Sequence, residues 1–257
     1  EISECLVGSE MCIRDRILTE LLNGNSIEKN KENSSTIKTL VKKNLVKEVK
    51  KQVYRLNYDN VKLETKPIMS GEQAKAVSDV KLDKYMTYLL YGVTGSGKTE
   101  VYMNLIEKVS RLGKSSLLLV PEISLTTQMI ERIYRRFGSE VAIFHSGLSN
   151  GEKYDEYQKI YKGEVKIVVG TRSAIFTPLQ NIGLIILDEE HSSTYKQEST
   201  PKYNAIDIAK WRGKYNNCPV ILGSATPRLE DMYQAVNGKY KLLKLTKRIG
   251  KALLPKI

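Results

Sequence analysis

The stretch Tyr88-Leu-Leu-Tyr-Gly-Val-Thr-Gly-Ser-Gly-Lys-Thr99 decides the fold. The apolar run from Tyr88 to Tyr91 predicts a buried strand, Gly92 ends it, and a glycine-rich turn leads into a helical pattern over 98–111. Gly92, Gly97, Lys98 and Thr99 fall at the spacing G-x-x-x-x-G-K-[ST] of a phosphate-binding loop. Glycines let the backbone of Val93, Thr94, Gly95 and Ser96 curl so that successive N–H groups point at phosphate oxygens, and the helix that follows adds its positive end. Lys98 would reach the β- and γ-phosphates of ATP, and the Thr99 hydroxyl would hold Mg²⁺. A strand before the loop and a helix after it separate this pattern from a chance glycine turn.

From Tyr88 onward strands alternate with helices. Strands are predicted at 88–92, 116–120, 141–144, 165–169, 183–187, 219–223 and 240–244, with helices over 98–111, 124–137, 149–162 and 204–214. That alternation predicts an α/β fold, a parallel sheet with helices on both faces, whose function gathers at the carboxyl ends of the strands. Gly183-Leu-Ile-Ile-Leu187 runs into Asp188-Glu-Glu-His191. Asp188 would hold Mg²⁺ beside the phosphate loop, Glu189 would act as general base on the attacking water, and His191 would link the nucleotide to neighbouring elements. Gly223-Ser-Ala-Thr-Pro227 ends a further strand, and Ser224 and Thr226 would exchange hydrogen bonds with His191 or Asp188. Gln73, on a helix capped by Ser70, has an amide able to read the adenine edge, although by itself it would be an ordinary surface residue.

Two strand ends suit single-stranded nucleic acid: Pro121 in Pro-Glu-Ile-Ser-Leu125, and Thr171, Arg172 and Ser173 in Gly170-Thr-Arg-Ser173. The loop 193–203 mixes Tyr195 and Tyr203 with Lys196, Gln197 and Lys202, rings to stack on bases and cations for phosphates; a solvent-exposed loop packed on its own tyrosines is the alternative.

Lys plus Arg number 41 against 29 Asp plus Glu, a net charge of +12 that suits a polyanionic partner, though a lysine-rich proteome gives the same balance. Cys5, Cys12 and Cys218 lack paired spacing, which argues against a disulfide framework or a zinc site, and Cys218 reads as a buried, inert thiol. No apolar run reaches the roughly 20 residues of a membrane span, and no secretory signal opens the chain, so a cytoplasmic protein with no membrane partner is expected. Residues 1–16 have no clear period, resemble translated adapter sequence and are set aside as non-native, in which case a natural N-terminal part is missing. Over 17–60, a helical piece at 17–22, a helix capped by Ser34 or Ser35 and running to about Lys43, and two short strands at 45–49 and 52–56 predict a partial winged-helix module, or equally a generic helix-plus-hairpin piece. Residues 61–69 read as a linker and 70–257 as the nucleotide-binding domain.

Gly-Val-Thr-Gly-Ser-Gly-Lys-Thr-Glu-Val-Tyr (92–102), Val-Pro-Glu-Ile-Ser-Leu-Thr (120–126), Gly-Thr-Arg-Ser-Ala-Ile-Phe (170–176), Asp-Glu-Glu-His (188–191), Tyr-Lys-Gln (195–197) and Gly-Ser-Ala-Thr-Pro (223–227) stand in one order along the chain. Together they resemble superfamily 2 helicases and, more narrowly, the replication-restart family of primosomal protein N′. The resemblance implies a RecA-like motor domain at 70–257 preceded by a winged-helix module. It implies a bacterial, nucleoid-associated enzyme that uses ATP and Mg²⁺ to unwind DNA 3′-to-5′ at stalled forks. Its partners would be single-stranded and forked DNA, primosome proteins and single-strand-binding protein. The family's aromatic-rich loop matches 192–203. Family features without a match here are the N-terminal fork-binding domain, the cysteine-rich zinc insertion and the second motor domain with its arginine finger, and Arg228 departs from the family's small polar residue. The chain is therefore expected to be a piece, from an incomplete gene record, that binds nucleotide and, at most weakly, DNA, hydrolyses ATP poorly and does not unwind. The competing expectations are another superfamily 2 translocase and a nucleotide-switched, DNA-binding loading platform.

Overall fold

The computed structural model describes residues 10–48, 54–55 and 67–249, and the chain divides after Val53 into two compact units. The smaller contains helix α1 (Glu10–Leu22) and helix α2 (Ser34–Lys42). They bury Ile17, Ile37 and Leu40 against Ile13, Leu18, Leu21, Ile27, Val41 and Val46. Helix α1 thus begins inside the stretch set aside as non-native, and Ile13 from that stretch packs on the cluster. Asn33, rather than Ser34 or Ser35, stands at the α2 N-cap, and its side chain holds the preceding loop by accepting from the Asn30 N–H at 2.8 Å.

The predicted wing is not present among the described residues. Residues 45–48 are irregular, and 49–53 and 56 lie outside the described residues. Tyr54 and Arg55, read as part of the second wing strand, belong to the larger unit: the Tyr54 hydroxyl donates to Glu164 at 2.6 Å and Arg55 pairs with the buried Asp155 at 2.7 Å. A two-stranded ribbon without an apolar face to cover is marginal in water, and a buried carboxylate is the stronger claim on Arg55. Of the linker predicted at 61–69, residues 67–69 are irregular and 61–66 lie outside the described residues.

The larger unit opens with helix α3 (Gly71–Asp79). There follow strand β1 (Thr87–Gly92), helix α4 (Lys98–Arg111), strand β2 (Ser115–Leu119), helix α5 (Thr127–Phe137), strand β3 (Val141–Phe144), helix α6 (Asn150–Tyr161), strand β4 (Ile167–Gly170) and strand β5 (Ile182–Leu187). Strands β6 (Lys196–Gln197) and β7 (Tyr203–Asn204) form a small antiparallel pair, and helix α7 (Ala205–Tyr215), strand β8 (Val220–Ser224), helix α8 (Leu229–Val236) and strand β9 (Lys241–Leu245) complete the unit. The main sheet has the order β3-β4-β2-β5-β8-β1-β9, and every pairing in it is parallel. The predicted strands recur within about two residues of these bounds. Helix α8 follows Gly223-Ser-Ala-Thr-Pro227, where the alternative reading of that motif, a Ser/Thr turn before a helix started by Pro227, placed a helix without giving its extent.

Continuous apolar strands are what a sheet covered on both faces requires. Leu90, Leu118, Ile143, Val169, Ile186 and Ile221 turn to one face with Val101, Leu105 and Ile106 of α4 and Ile133 of α5. Leu89, Leu117, Ala142, Val168, Ile185 and Leu222 turn to the other with Ile160 of α6, Ile206 and Ala209 of α7 and Ala235 of α8. Each fully buried Leu or Ile contributes roughly 1.5–3 kcal/mol, so the sheet is held rigid and the loops at its carboxyl ends carry the variable chemistry. Cys218 is fully buried in the second layer, and burial pushes its thiol up to about 11, which makes it unreactive.

Candidate active site

The β1–α4 turn is a phosphate loop by geometry as well as by spacing. Gly97 takes φ +80°, and a Cβ there would collide with the Gln73 side-chain amide, so this position admits glycine alone. Gln73 is fully buried in a capping box: its Oε1 accepts from the Ser70 N–H at 2.8 Å and its Nε2 donates to the Ser96 carbonyl at 3.1 Å. Both ends of the amide are therefore occupied by protein. In this conformation Gln73 braces the phosphate loop, and the predicted hydrogen bonds to an adenine edge are not available to it.

Lys98, nearly buried, donates from Nζ to the Gly92 carbonyl at 3.1 Å and lies 3.5 Å from Glu189 Oε1. Thr99 stands half-buried on the wall of the same cavity, of about 430 Å³, which is also lined by Val93, Thr94, Gly95, Ser96, Gln73, Asp188 and Glu189. Arg132 and Glu100 line it too, and neither was singled out from sequence. Glu100 is buried between Arg136 at 3.0 Å and Arg132 at 3.4 Å, which ties α5 to the first turn of α4. The amphipathic spacing of α5 was readable, but nothing in it reveals that two of its arginines share one carboxylate.

The acidic motif lies at the end of β5, with β8 between it and β1. Glu189 takes φ +46°, a left-handed conformation shared among the described non-glycine residues only with Asn44, Asn181 and Asn217, asparagine being the side chain that tolerates it best. This turn aims its carboxylate between Lys98 and His191 Nδ1, the latter 3.6 Å from Oε2. His191 Nδ1 is 2.8 Å from Ser224 Oγ and 3.5 Å from Thr226 Oγ1. The structure brings His191, Ser224 and Thr226 together as the sequence predicted.

Asp188 is held by two phenols. Tyr102 Oη donates to Oδ1 at 2.8 Å, and Tyr195 Oη donates to the Asp188 carbonyl at 2.6 Å. Burial pushes the Asp188 carboxyl above its ordinary value, and the Tyr102 hydrogen bond works against that rise. Burial and the Asp188 charge hold both phenols protonated. Glu190, which the sequence reading left without a role, is fully buried and accepts from the Arg228 backbone N–H at 2.9 Å and from its Nε at 3.0 Å. Arg228 also reaches Asp231 at 2.5 Å, and Lys210 approaches the same carboxylate at 3.3 Å.

The predicted nucleic-acid residues divide. Pro121 and Thr171 are buried at the adjacent ends of β2 and β4, where the Val120 N–H donates to the Gly170 carbonyl, and Ser173 is exposed. Arg172 donates from Nη1 to the Thr194 carbonyl at 3.0 Å and the Lys196 carbonyl at 2.8 Å, and its guanidinium lies 5.9 Å from the Tyr203 ring centre. It fastens the 193–203 loop as well as standing at a strand end. Lys196 is exposed, Gln197 half-buried, and the half-buried Tyr203 meets Phe176 edge-on at 4.9 Å. Tyr195 is corrected outright: at 1% exposure its ring is core, not a platform for bases. Composition marks a tyrosine as able to stack and gives no sign of which tyrosine faces inward.

The residues fit a nucleotide with Mg²⁺. Among the described residues the buried Ser96 hydroxyl has no hydrogen-bond partner and Lys98 has only a carbonyl and a more distant carboxylate, and Thr99 and Asp188 face the same cavity. A bound triphosphate supplies acceptors for the first two, and a metal ion beside it suits the oxygen donors of the last two. The zinc expected of longer relatives has no cluster of three or more ligands among the described residues. No helix among them is long and apolar enough to cross a membrane.

The family model for DEAD/DEAH box helicases matches residues 70–235. The chain is 50% identical over 236 residues to replication restart protein PriA of Bacillus subtilis, covering 90% of this chain and 29% of that protein. It is 49% identical over 203 residues to PriA of Synechocystis (78% of this chain, 24% of the relative) and 40% identical over 242 residues to PriA of Haemophilus influenzae (90% and 33%). The chain thus spans about a third or less of the length of these relatives. Among solved structures, RecG bound to a three-way DNA junction superposes with TM-score 0.54 at 23% identity, over 95% of this chain and 30% of RecG, a likeness of fold.

Proposed function

The chain belongs to the DEAD/DEAH box helicase family, and from that premise we propose that it is the ATP-binding motor domain of a replication-restart DNA helicase. In the longer protein this domain drives 3′-to-5′ unwinding at stalled forks in the bacterial cytoplasm, on single-stranded and forked DNA. Primosome proteins and single-strand-binding protein are its partners. The identity to PriA proteins across most of the chain supports this reading. One observation carries it: Lys98 of the phosphate loop and Glu189 of the acidic strand end meet at 3.5 Å on one cavity.

ATP with Mg²⁺ supplies the transferable phosphate. Lys98 exchanges its carbonyl partner for phosphate oxygens, and Ser96 and the loop N–H groups cradle them. Thr99 and Asp188 would hold Mg²⁺ beside the phosphates. Glu189 orients the attacking water and takes its proton, while His191 passes the change to Ser224 and Thr226. Among the described residues, Lys98 and Arg132 are the cations on the cavity wall, and Arg132 is already paired with Glu100. Turnover by these residues alone is therefore slow, since a further cation at the transferring phosphate contributes roughly 10³–10⁵ in rate.

The test is nucleotide binding and ATPase rate with and without single-stranded DNA, for the chain and for Lys98→Ala and Glu189→Gln. Mg²⁺-dependent binding lost in Lys98→Ala, with turnover near zero, is expected. Fast DNA-stimulated turnover abolished by Glu189→Gln would overturn the slow-turnover reading, and no Mg²⁺-dependent binding at all would overturn the nucleotide site.

A further inference from the structure

Tyr102 does not line the nucleotide cavity and has no place in the chemistry above, yet three parts of the fold are arranged around its hydroxyl. It stands one helical turn beyond Lys98, on the same face of α4. Its side chain is fully buried, and Oη lies 2.8 Å from Asp188 Oδ1. A Cβ on Gly223 would run into that hydroxyl, so the end of β8 is kept bare where the oxygen stands. A phenylalanine would fill the same apolar space without needing the carboxylate.

We propose that Tyr102 is a positioning residue for Mg²⁺: its hydroxyl fixes the Asp188 carboxylate by Oδ1 and leaves the other oxygen directed at the metal's coordination sphere. This rests on the reading of the cavity as a Mg²⁺–nucleotide site. The Glu189 backbone N–H also reaches the Asp188 carboxylate from the left-handed turn that follows it, and the Tyr102 hydroxyl is the side-chain donor that holds it from α4. Tyr195 fixes the Asp188 main chain from below through its carbonyl, and Tyr102 fixes the side chain. Partners of metal ligands commonly affect metal affinity by about 10- to 100-fold, because an unoriented carboxylate must be ordered when the ion binds.

The experiment titrates Mg²⁺ into the chain with a fluorescent ADP analogue, for wild type, Tyr102→Phe and Gly223→Ala. Gly223→Ala keeps the phenol but displaces its hydroxyl. Both variants are expected to need about tenfold more Mg²⁺ for half-maximal binding, with affinity for the analogue in excess chelator unchanged. A lowered thermal midpoint with wild-type Mg²⁺ dependence in both variants would make Tyr102 a packing residue and overturn the proposal. Lys98→Ala run beside them separates the two questions: if wild type binds no Mg²⁺–nucleotide, or Lys98→Ala binds it equally well, the site reading fails instead.

Discussion

Tyr195 Oη lies 2.6 Å from the Asp188 carbonyl and 3.0 Å from that of Leu119, so one phenol joins the ends of β5 and β2 at the root of the 193–203 loop. The loop above it carries Lys196, Gln197 and Tyr203, and Arg172 holds its backbone from the end of β4. The root of that loop and the main chain of Asp188 thus share one buried hydrogen-bonding group.

Tyr195→Phe should lower stability by about 1–3 kcal/mol, because the Asp188 carbonyl is left without its donor in a buried place. Tyr195→Ala should lower it by about 3–5 kcal/mol, since a cavity is added to the lost bond. Urea denaturation of both variants measures this. If Tyr195→Phe is as stable as wild type while Tyr195→Ala loses only affinity for single-stranded DNA, the ring serves bases after all and its burial is not its role.

Gln73→Ala gives the sharpest distinction between bracing the loop and reading a base. The native amide satisfies the Ser70 N–H and the Ser96 carbonyl, so its removal loosens the phosphate loop whatever base is attached. Affinity for ATP and GTP should fall by the same factor, on the order of tenfold for about 1.4 kcal/mol lost, as measured by competition against a labelled nucleotide. A loss confined to adenine nucleotides would restore the base-reading role.

The sheet was legible because six apolar runs, each four to six residues long and mostly rich in Val, Ile and Leu, have few other ways to be buried, and motif residues follow at the ends of most of them, while the edge strand β9 mixes Leu with Lys. The capping box was half legible: Ser70 was seen as a cap, but the Ser-x-x-Gln spacing that turns Gln73 back onto the Ser70 N–H was not used. What stayed hidden depends on three-dimensional neighbours. No pattern distinguishes the core rings of Tyr102 and Tyr195 from the half-exposed Tyr203. Arg228 looked like a departure from expectation, and only the fold places it against Glu190 and Asp231. Over 45–48, which are irregular, propensity carries no information about whether a covering face exists, and most of the second predicted wing strand lies outside the described residues.

The Glu190–Arg228–Asp231 cluster gives the larger unit a pH dependence with a definite sign. Burial pushes the Glu190 carboxyl up from 4.5 to about 7, Asp231's charge pushes the same way, and the Arg228 N–H and guanidinium pull against them. Burial acts to raise Asp231 as well, but Arg228 and Lys210 hold it below its ordinary value. An acid whose folded value lies above its unfolded one binds its proton more tightly in the folded state. Its contribution is full below about pH 4.5 and is lost as pH rises to about 7. Asp231 acts in the opposite sense: its contribution is full above its unfolded value of 3.8 and is lost only as pH falls below that, so between about pH 5 and 7.5 the Glu190 slope stands alone within the cluster. Glu190→Gln removes that slope. Wild type should therefore be favoured over the variant most at about pH 5 and least at about pH 7.5, and a difference of 1 kcal/mol moves the thermal midpoint of a domain this size by about 2–4 °C. Calorimetry of both proteins across that range measures the difference. A gap that is constant with pH would mean that Glu190 is ionised throughout, held so by Arg228, and that its burial does not govern its proton.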